Sequence, residues 1–524
     1  MAKHKDTLSE RFKKFDEERS AKLSRAREHA KLVIPGLLPE SGMAEEQDLP
    51  VPYAGVPAEG TMNLAARMVS ALYPINRIPF LELQINDALV PEGEDTTEES
   101  KMLQRFTGHV MDQLIPTNLR SSLFMVEQHL IVIGDVLLFE KNDYSFQLFR
   151  LDQYIVKRTP AGEWREIIIE EWVDPEYLPE EVRNFPKVKP PSEVEIGPSD
   201  KALEAIYTQI KWNRDEKRWD VKKEFRNKTF DIDTFYTVSP YFPLRWSAVA
   251  GENYGRSFVE DMFGDIRVLD ALRKALMDGN LMNSEYRWGV NPAGITDLTD
   301  FDNSVNGAAI PAVQGDIFAI QAENQAQVAV TLQAVQDSEQ RIGRRFLMNS
   351  VVQPQGDRVT AEQVRIIAQE LEQALGGVLS LQTQDIMIQI ARRTMFQMAS
   401  DEILPPDIAQ FIADKDGILK ITVRAGLEAL RREVDGEKLL SFLQVVGQLP
   451  PDAQRRLRYS VLMDRLVLAM GIESTGLVKS DEDIAAEDQA ILAQQQAEQA
   501  QRVAQQAALE VAKNAPVAQP QETS

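Results

Sequence analysis

The 524 residues include no cysteine, so neither a disulfide nor a thiolate metal site is available and the chain suits a reducing compartment. Histidine is nearly as scarce: His4, His29, His109 and His129 lack metal-ligand spacing or an adjacent carboxylate. A membrane span needs about 20 apolar residues, and the longest apolar run here, Leu130–Phe139, is short and carries Asp135. The start, from Met1 to Asp6, is charged and has no apolar h-region, so no signal peptide is expected. No G-x-x-x-x-G-K-[ST] stretch exists to cradle phosphates, so an ATP-driven motor is not expected in this chain. The pairs Asp231/Asp233 and Asp300/Asp302 lack the glycine and distant glutamate of an EF-hand loop and read as turn residues. No catalytic residue, metal or cofactor is expected.

Basic residues are in deficit, 58 Lys and Arg against 81 Asp and Glu, for a formal charge of −23. Surfaces that hold nucleic acid by neutralising phosphates are typically basic, so a tight grip is disfavoured. An acidic wall instead suits a duplex that must slide, since repulsion keeps it centred. The charge is compatible with that task without demonstrating it.

The chain is organised around Tyr254–Arg393. Ser257 and Glu260 have capping-box spacing. Behind them Val259, Met262, Ile266, Leu269, Leu272 and Leu276 keep the three/four spacing of one buried helical stripe, ending near Met282. Glycines and prolines between Trp288 and Ile320 punctuate short runs suited to strands and tight turns. A second helix from about Asn324 carries Val328, Leu332, Val335, Ile342 and Phe346. After the polar loop Asn349–Arg358, Thr360 and Gln363 open a third helix reaching about Met398, which Gly376 and Gly377 are expected to bend. Two helices around a small β-insert make a stalk with a knob. Such a stalk leaves apolar surface on more than one side, which packing against copies of itself would cover; a helical hairpin inside a monomeric core is the alternative.

Elsewhere, residues 1–34 read as one amphipathic helix with Leu8, Phe12, Phe15 and Leu23 on its apolar side, stopped by Pro35. Strand patterns fall at Leu81–Ile85, Phe146–Leu151, Tyr154–Arg158, Glu166–Trp172, Tyr207–Trp212, Trp219–Phe225, Phe242–Trp246 and Leu419–Arg424. Trp172, Trp212, Trp219 and Trp246 are expected to pack this β-rich lobe, with a base-stacking platform as the alternative. Asp174–Asp200 reads as an insertion. The class is α+β.

Several words in one order carry a family resemblance: Tyr254–Ser257 (YGRS), Asn291–Thr296 (NPAGIT), Arg358–Gln363 (RVTAEQ), Glu370–Glu372 (ELE) and Leu375–Val378 (LGGV). Together with Leu64–Pro74, Val132–Phe139, Leu148–Arg158 and Gly426–Ala429 they resemble the portal, or head-to-tail connector, proteins of short-tailed phages of the autographivirus kind. The resemblance covers most of the chain except the C-terminal tail. It implies a ring-forming portal fold: wing 1–255, stem helix 256–284, clip 285–323, second stem helix 324–348, channel loop 349–359, long kinked helix and wing return 360–425, helical crown 426–479, and an Ala/Gln-rich tail or barrel 480–524.

The resemblance further implies a twelve-fold homo-oligomer at one capsid vertex of the virion, assembled in the host cytoplasm. Double-stranded DNA would pass through its channel during packaging and ejection. Implied partners are the large terminase subunit, then tail adaptor and tail tube proteins, with major capsid, scaffolding and internal core proteins. Asn349, Gln353, Gln355 and Arg358 would face the DNA, where a basic residue can stand in the family at the place of Pro354, leaving a steric valve open beside a grip. Tyr286 and Trp288 would serve the clip interface, and Met262, Ile266, Leu269, Leu332, Ile342 and Phe346 the stem packing. An acidic monomeric adaptor or scaffold protein, or an enzyme with an unrecognised nucleotide fold, are the rival readings.

Overall fold

The computed structural model describes residues 6–40, 48–74, 81–85, 97–186, 203–231, 234–284, 287–305, 307–320, 325–348, 361–413, 421–425 and 441–445, with positions 489, 491, 494 and 501. Residues 1–430 make one compact unit and 431–524 a second, in which 441–445 are helical. The expected channel loop with Asn349, Gln353, Gln355 and Arg358, the capping residue Thr360, Tyr286, and most of the crown and tail lie outside the described residues.

The single N-terminal helix expected from the sequence is two helices, α1 (Leu8–Glu18) and α2 (Ser20–Val33). A capping box opens α1: Thr7 Oγ1 accepts from the Glu10 amide at 3.2 Å, and the Glu10 carboxylate accepts from the Thr7 amide at 3.0 Å. The chain steps at Arg19, which is only 4% exposed. Its guanidinium donates to the carbonyl oxygens of Leu151, Asp152 and Tyr154, binding the step to the body. One helix turn on, Lys22 pairs with buried Asp135 at 3.0 Å and donates to the carbonyls of Ile133 and Gly255.

The body follows with α3 (Val56–Leu72), β1 (Leu81–Ile85), α4 (Thr97–Leu114) and α5 (Leu119–Val132). Leu64, Ala65, Met68 and Leu72 on α3 and Leu123, Val126 and Leu130 on α5 are wholly buried at helical spacing, so these two helices carry the centre of the core. Then come β2 (Asp135–Glu140), β3 (Phe146–Phe149), β4 (Tyr154–Arg158), β5 (Trp164–Val173), the short α6 (Glu180–Arg183), β6 (Glu204–Asn213), β7 (Arg218–Phe225), β8 (Lys228–Phe230), β9 (Phe235–Tyr236) and β10 (Tyr241–Arg245).

Strands β10, β2 and β3 form one antiparallel sheet, and β4 to β8 a second in sequence order, with β9 added to β7. On β5 the period of two divides the work: Ile167 and Ile169 enter the main core, while Ile168 packs with Leu8, Phe12, Ile155 and Tyr207 beneath α1. Trp164 stacks on Trp219 with centroids 3.6 Å apart, Trp212 leans on Trp219 at 5.0 Å, and Trp246 is buried. These tryptophans are packing residues.

Next come α7 (Phe263–Ser284), β11 (Arg287–Val290), α8 (Leu298–Asp302), β12 (Ile317–Ile320) and α9 (Gln325–Arg345). The third long helix is broken where a bend was expected. Gly376 and Gly377 both take left-handed conformations, with φ of +61° and +91°, which stop a right-handed helix. The pieces are α10 (Ala361–Leu375), α11 (Val378–Gln382), a π-helical turn Thr383–Met387, and α12 (Ile388–Ser400). After α13 (Pro406–Ala413), β13 (Ile421–Ala425) returns to pair antiparallel with β1, joining residues far apart in sequence.

Removing the guanidinium at Arg19 leaves buried carbonyls without a donor, each costing about 1–3 kcal/mol. We expect Arg19→Met to lower unfolding stability by about 2–4 kcal/mol, read from the urea midpoint. Arg25→Met, at a half-exposed surface pair with Glu260, should shift it by less than about 0.5 kcal/mol.

Candidate functional site

A single turn of 3-10 helix, Val259–Met262, runs into α7, the helix expected to be the first of the stem. Half of the expected capping box is present, since the Ser257 hydroxyl accepts from the Glu260 amide at 3.0 Å. The Glu260 carboxylate turns to Arg256 at 2.7 Å and Arg25 at 3.6 Å, and these cations outweigh its partial burial and hold it below the usual carboxylate range. Val259, Met262, Ile266, Leu269 and Leu276 are buried, as their spacing predicts.

Helix α9 returns alongside α7. At Gly279 the two helices pack closely, since a β-carbon there would just touch the Val328 side chain at 3.4 Å. Arg273 crosses to Glu339 with its Nε 2.8 Å from the carboxylate. On α9 the buried positions are Val335, Ser338, Ile342 and Phe346, with Val328 and Thr331 partly covered. Leu332 does not join them: it is 43% exposed. The inner face follows the 3-4 series 328, 331, 335, 338 and 342, which turns position 332 outward and puts two hydroxyl side chains inside. With Val330 (71%), Val268 (55%), Met277 (44%), Leu281 (55%) and Met282 (61%), Leu332 leaves apolar side chains exposed on more than one side of the hairpin.

The base of the hairpin is fixed by Phe346. Its ring lies edge-on to Phe258 at 5.3 Å and against the bare backbone of Gly60 on α3, where a β-carbon would stand 2.5 Å from the ring. Beside it the buried Arg67 donates to the carbonyl of Leu347 at 3.0 Å and pairs with Glu370 on α10 at 2.5 Å. One guanidinium therefore ties together both ends of the segment expected to line a channel. Just before that segment Arg341, Arg344 and Arg345 stand exposed along the last turn of α9.

At the tip, β11 and β12 pair antiparallel, with Trp288 opposite Ala319. Asp316 organises the loops above them by accepting from the amides of Val313 and Ile295, both at 3.0 Å, and from the Thr296 hydroxyl at 3.3 Å. These donors hold its carboxyl below the usual range. Gly294 is required there, since a β-carbon would meet the Asp316 carboxylate at 2.3 Å. Trp288 stands edge-on to Phe301 at 5.8 Å yet remains 52% exposed, and Ile295, Leu298, Val305, Val313 and Phe318 are also exposed.

Asp300 lies in α8, which Asp297 caps by accepting from the Thr299 amide at 2.8 Å. Asp231 accepts from Thr234 and pairs with Lys223 at 3.1 Å. No group of acids, histidines or cysteines able to hold a metal ion occurs among the described residues. No helix there is long and apolar enough to cross a membrane. Sequence reasoning singled out neither Arg67 nor Asp316; a signal was present for Asp316 alone, in the NPAGIT turn that its carboxylate closes.

Known proteins match this arrangement over nearly its whole length. The family model for the bacteriophage head to tail connecting protein matches residues 5–478. The portal protein of Enterobacteria phage T3 is 30% identical over 90% of this chain and 88% of that one. That of Escherichia phage T7 is 29% identical over the same shares, and that of Enterobacteria phage SP6 27% identical over 91% of this chain and 90% of its own. The work of such a protein is connection rather than catalysis, which agrees with a site built of packing surfaces. The chain belongs to the bacteriophage head-to-tail connecting proteins, the portal proteins of short-tailed phages.

Proposed function

We propose that twelve copies of the chain close into a ring at one capsid vertex, with the α7/α9 hairpins around a channel for double-stranded DNA. The observation that carries this reading is the set of apolar side chains that the hairpin exposes on more than one side, as a subunit flanked by two neighbours would. Val268, Met277, Leu281, Val330 and Leu332 are exposed in one copy while Thr331 and Ser338 lie within. Six or so large apolar side chains left roughly half in water forfeit on the order of 1 kcal/mol each that burial would return, and the neighbouring copies on either side, met through two different faces, are the surfaces always at hand. Residues 1–255 with the 360–425 return form the wing, 285–323 the clip, 426–479 the crown, and 480–524 a tail or barrel.

Within the channel the duplex meets an acidic chain of formal charge −23, with Arg341, Arg344 and Arg345 as a local exception next to the loop 349–359. Asn349, Gln353, Gln355 and Arg358 exchange hydrogen bonds with phosphates or water there, so the loop slows or blocks the duplex without holding it. The clip receives the large terminase subunit during packaging and the tail adaptor afterwards. Trp288 is its anchor, because half-exposed aromatics concentrate interface energy, and Tyr286 serves beside it. The wing meets major capsid and scaffolding proteins, and the crown meets internal core proteins.

The ring is tested with Val268→Asp and Leu332→Asp together. Both side chains face water in one copy, so the fold should survive with an unchanged thermal midpoint, while native mass spectrometry should show loss of the ring. Rings at the wild-type population would remove the packing argument. Ile342→Asp should act differently, unfolding the hairpin itself at a cost of about 3–5 kcal/mol, because its side chain is 1% exposed.

The loop is tested by deleting Gln353–Gly356. Rings should assemble as before, and packaged DNA should leak from or fail to fill the heads. Full-length genomes retained at normal yield by the deletion would remove the loop's role.

A further inference from the structure

Two glutamates are sealed under the broken third helix. Glu127 on α5 and Glu140 on β2 are both 0% exposed, and each has one carboxylate oxygen hydrogen-bonded and one without a partner. Glu127 Oε2 accepts from the Gln382 side-chain amide at 3.2 Å, while Glu127 Oε1 and Gln382 Oε1 are both orphaned. Two acceptors left over in one pair satisfy each other only if a proton joins them. A protonated Glu127 closes an acid–amide pair in which each side chain both donates and accepts. Glu140 repeats the theme: its Oε1 accepts from the Thr394 hydroxyl at 3.1 Å and its Oε2 has no partner.

Both partners sit on the same part of the chain, beyond the glycine break. Gln382 ends α11 at the π-helical turn and Thr394 lies on α12, so the two contacts bracket the segment from Val378 to Ser400. That segment is separated from α10 by the left-handed Gly376 and Gly377, which decouple its backbone hydrogen bonds from those of the helix before it. Gln397 adds a contact to the carbonyl of Asn142.

We propose that the segment 378–400, which also places Leu379, Ile386, Ile390 and Met395 in the main core, is completed in its docking by neutral glutamic acids at positions 127 and 140, and that loss of their protons loosens it beyond the Gly376–Gly377 break. The device is built into one chain and does not depend on the ring reading above.

Burial dominates both sites and pushes each carboxyl from its ordinary value of 4.5 up to about 8. The charged or titratable groups facing Glu140 are Arg393 on α12, which pulls the other way, and Tyr144 in the turn after β2. For Glu127 the Gln382 amide alone opposes burial, and among the described residues no charge on α2, α3, β2 or α11 assists it. The docked state thus binds protons that the released state gives up. Docking is fully supported below pH 4.5, weakens as the pH rises, and loses this support above about 8.

Hydrogen exchange with mass spectrometry on the full chain, expressed as protection factors to remove the intrinsic pH effect, tests this. Between about pH 6 and about pH 9, protection of 378–400 should fall at least about tenfold, with β6 as an unchanged internal control. Glu127→Gln with Glu140→Gln should flatten that fall, since an amide at 127 can still pair with Gln382. Because the double variant could fail to fold, the wild type gives a second reading: its infrared spectrum should show a protonated-carboxyl band at neutral pH that disappears by about pH 9. Constant protection of the segment, an equal fall in β6, an undiminished fall in the folded variant, or absence of the band would each overturn the proposal.

Discussion

The contact on which the molecule's plan depends is Phe346 against the naked backbone of Gly60. No side chain larger than hydrogen fits at Gly60 without moving the ring, so α3 in the body and the foot of α9 can approach only this way. Phe258 closes the pocket from the third side, and its neighbour Ser257 caps the turn that begins α7. Helices α7 and α9 are therefore both aimed from a single apolar joint. Arg67, about two turns along α3 from Gly60, adds the end of α9 and α10 to it. Burying a phenylalanine contributes about 1.5–3 kcal/mol, and the geometric consequence exceeds the energetic one.

A second constraint concerns charge. The chain is strongly acidic, yet its deepest cations are held by carbonyl oxygens as much as by acids: Arg19 by three on the β3–β4 connection, Lys22 by Ile133 and Gly255, Arg67 by Leu347. A carbonyl offers a fixed dipole with a smaller desolvation penalty than a carboxylate, so a cation can be sealed without burying a full opposite charge. Asp135 is the exception, reached by Lys22 and by the Gly255 amide, and burial still raises its carboxyl above the ordinary value. These ties join the N-terminal helices to the body and explain why they strap it instead of trailing in solvent.

Strands were the most legible part of the sequence. Leu81–Ile85 and Tyr154–Arg158 fall where alternation puts them, because Leu81 and Leu83 share one core face with polar residues between, while Tyr154 and Val156 enter the main core and Ile155 the cluster under α1. Failures came where a side chain acts over long range. Nothing local reveals that Arg19 and Arg67 reach carbonyls 132 and 280 residues on, and nothing local marks Glu127 and Glu140 as buried acids. The glycine pair was noticed, but its spacing could not distinguish a bend from two consecutive left-handed residues. At the candidate site the buried stripe of α7 was readable; the channel loop itself falls outside the described residues.

Position 332 shows most plainly why pattern alone misleads in an assembling protein. A search for a buried stripe assumes that apolar residues mark the inside of the chain, and on that assumption Leu332 belongs with Val328 and Val335. The hairpin chooses instead the face with Thr331 and Ser338, whose hydroxyls can return hydrogen bonds to their own helix, and leaves Leu332 and Val330 outward. Had evolution optimised a solitary hairpin, exchanging these residues would lower the apolar exposure at once. That α9 keeps leucine and valine outside makes sense if its sequence answers to two interiors, one within the chain and one between copies. Apolar periodicity along such a helix is then the sum of two stripes, and only the three-dimensional position of Phe346 fixes which one the chain itself buries.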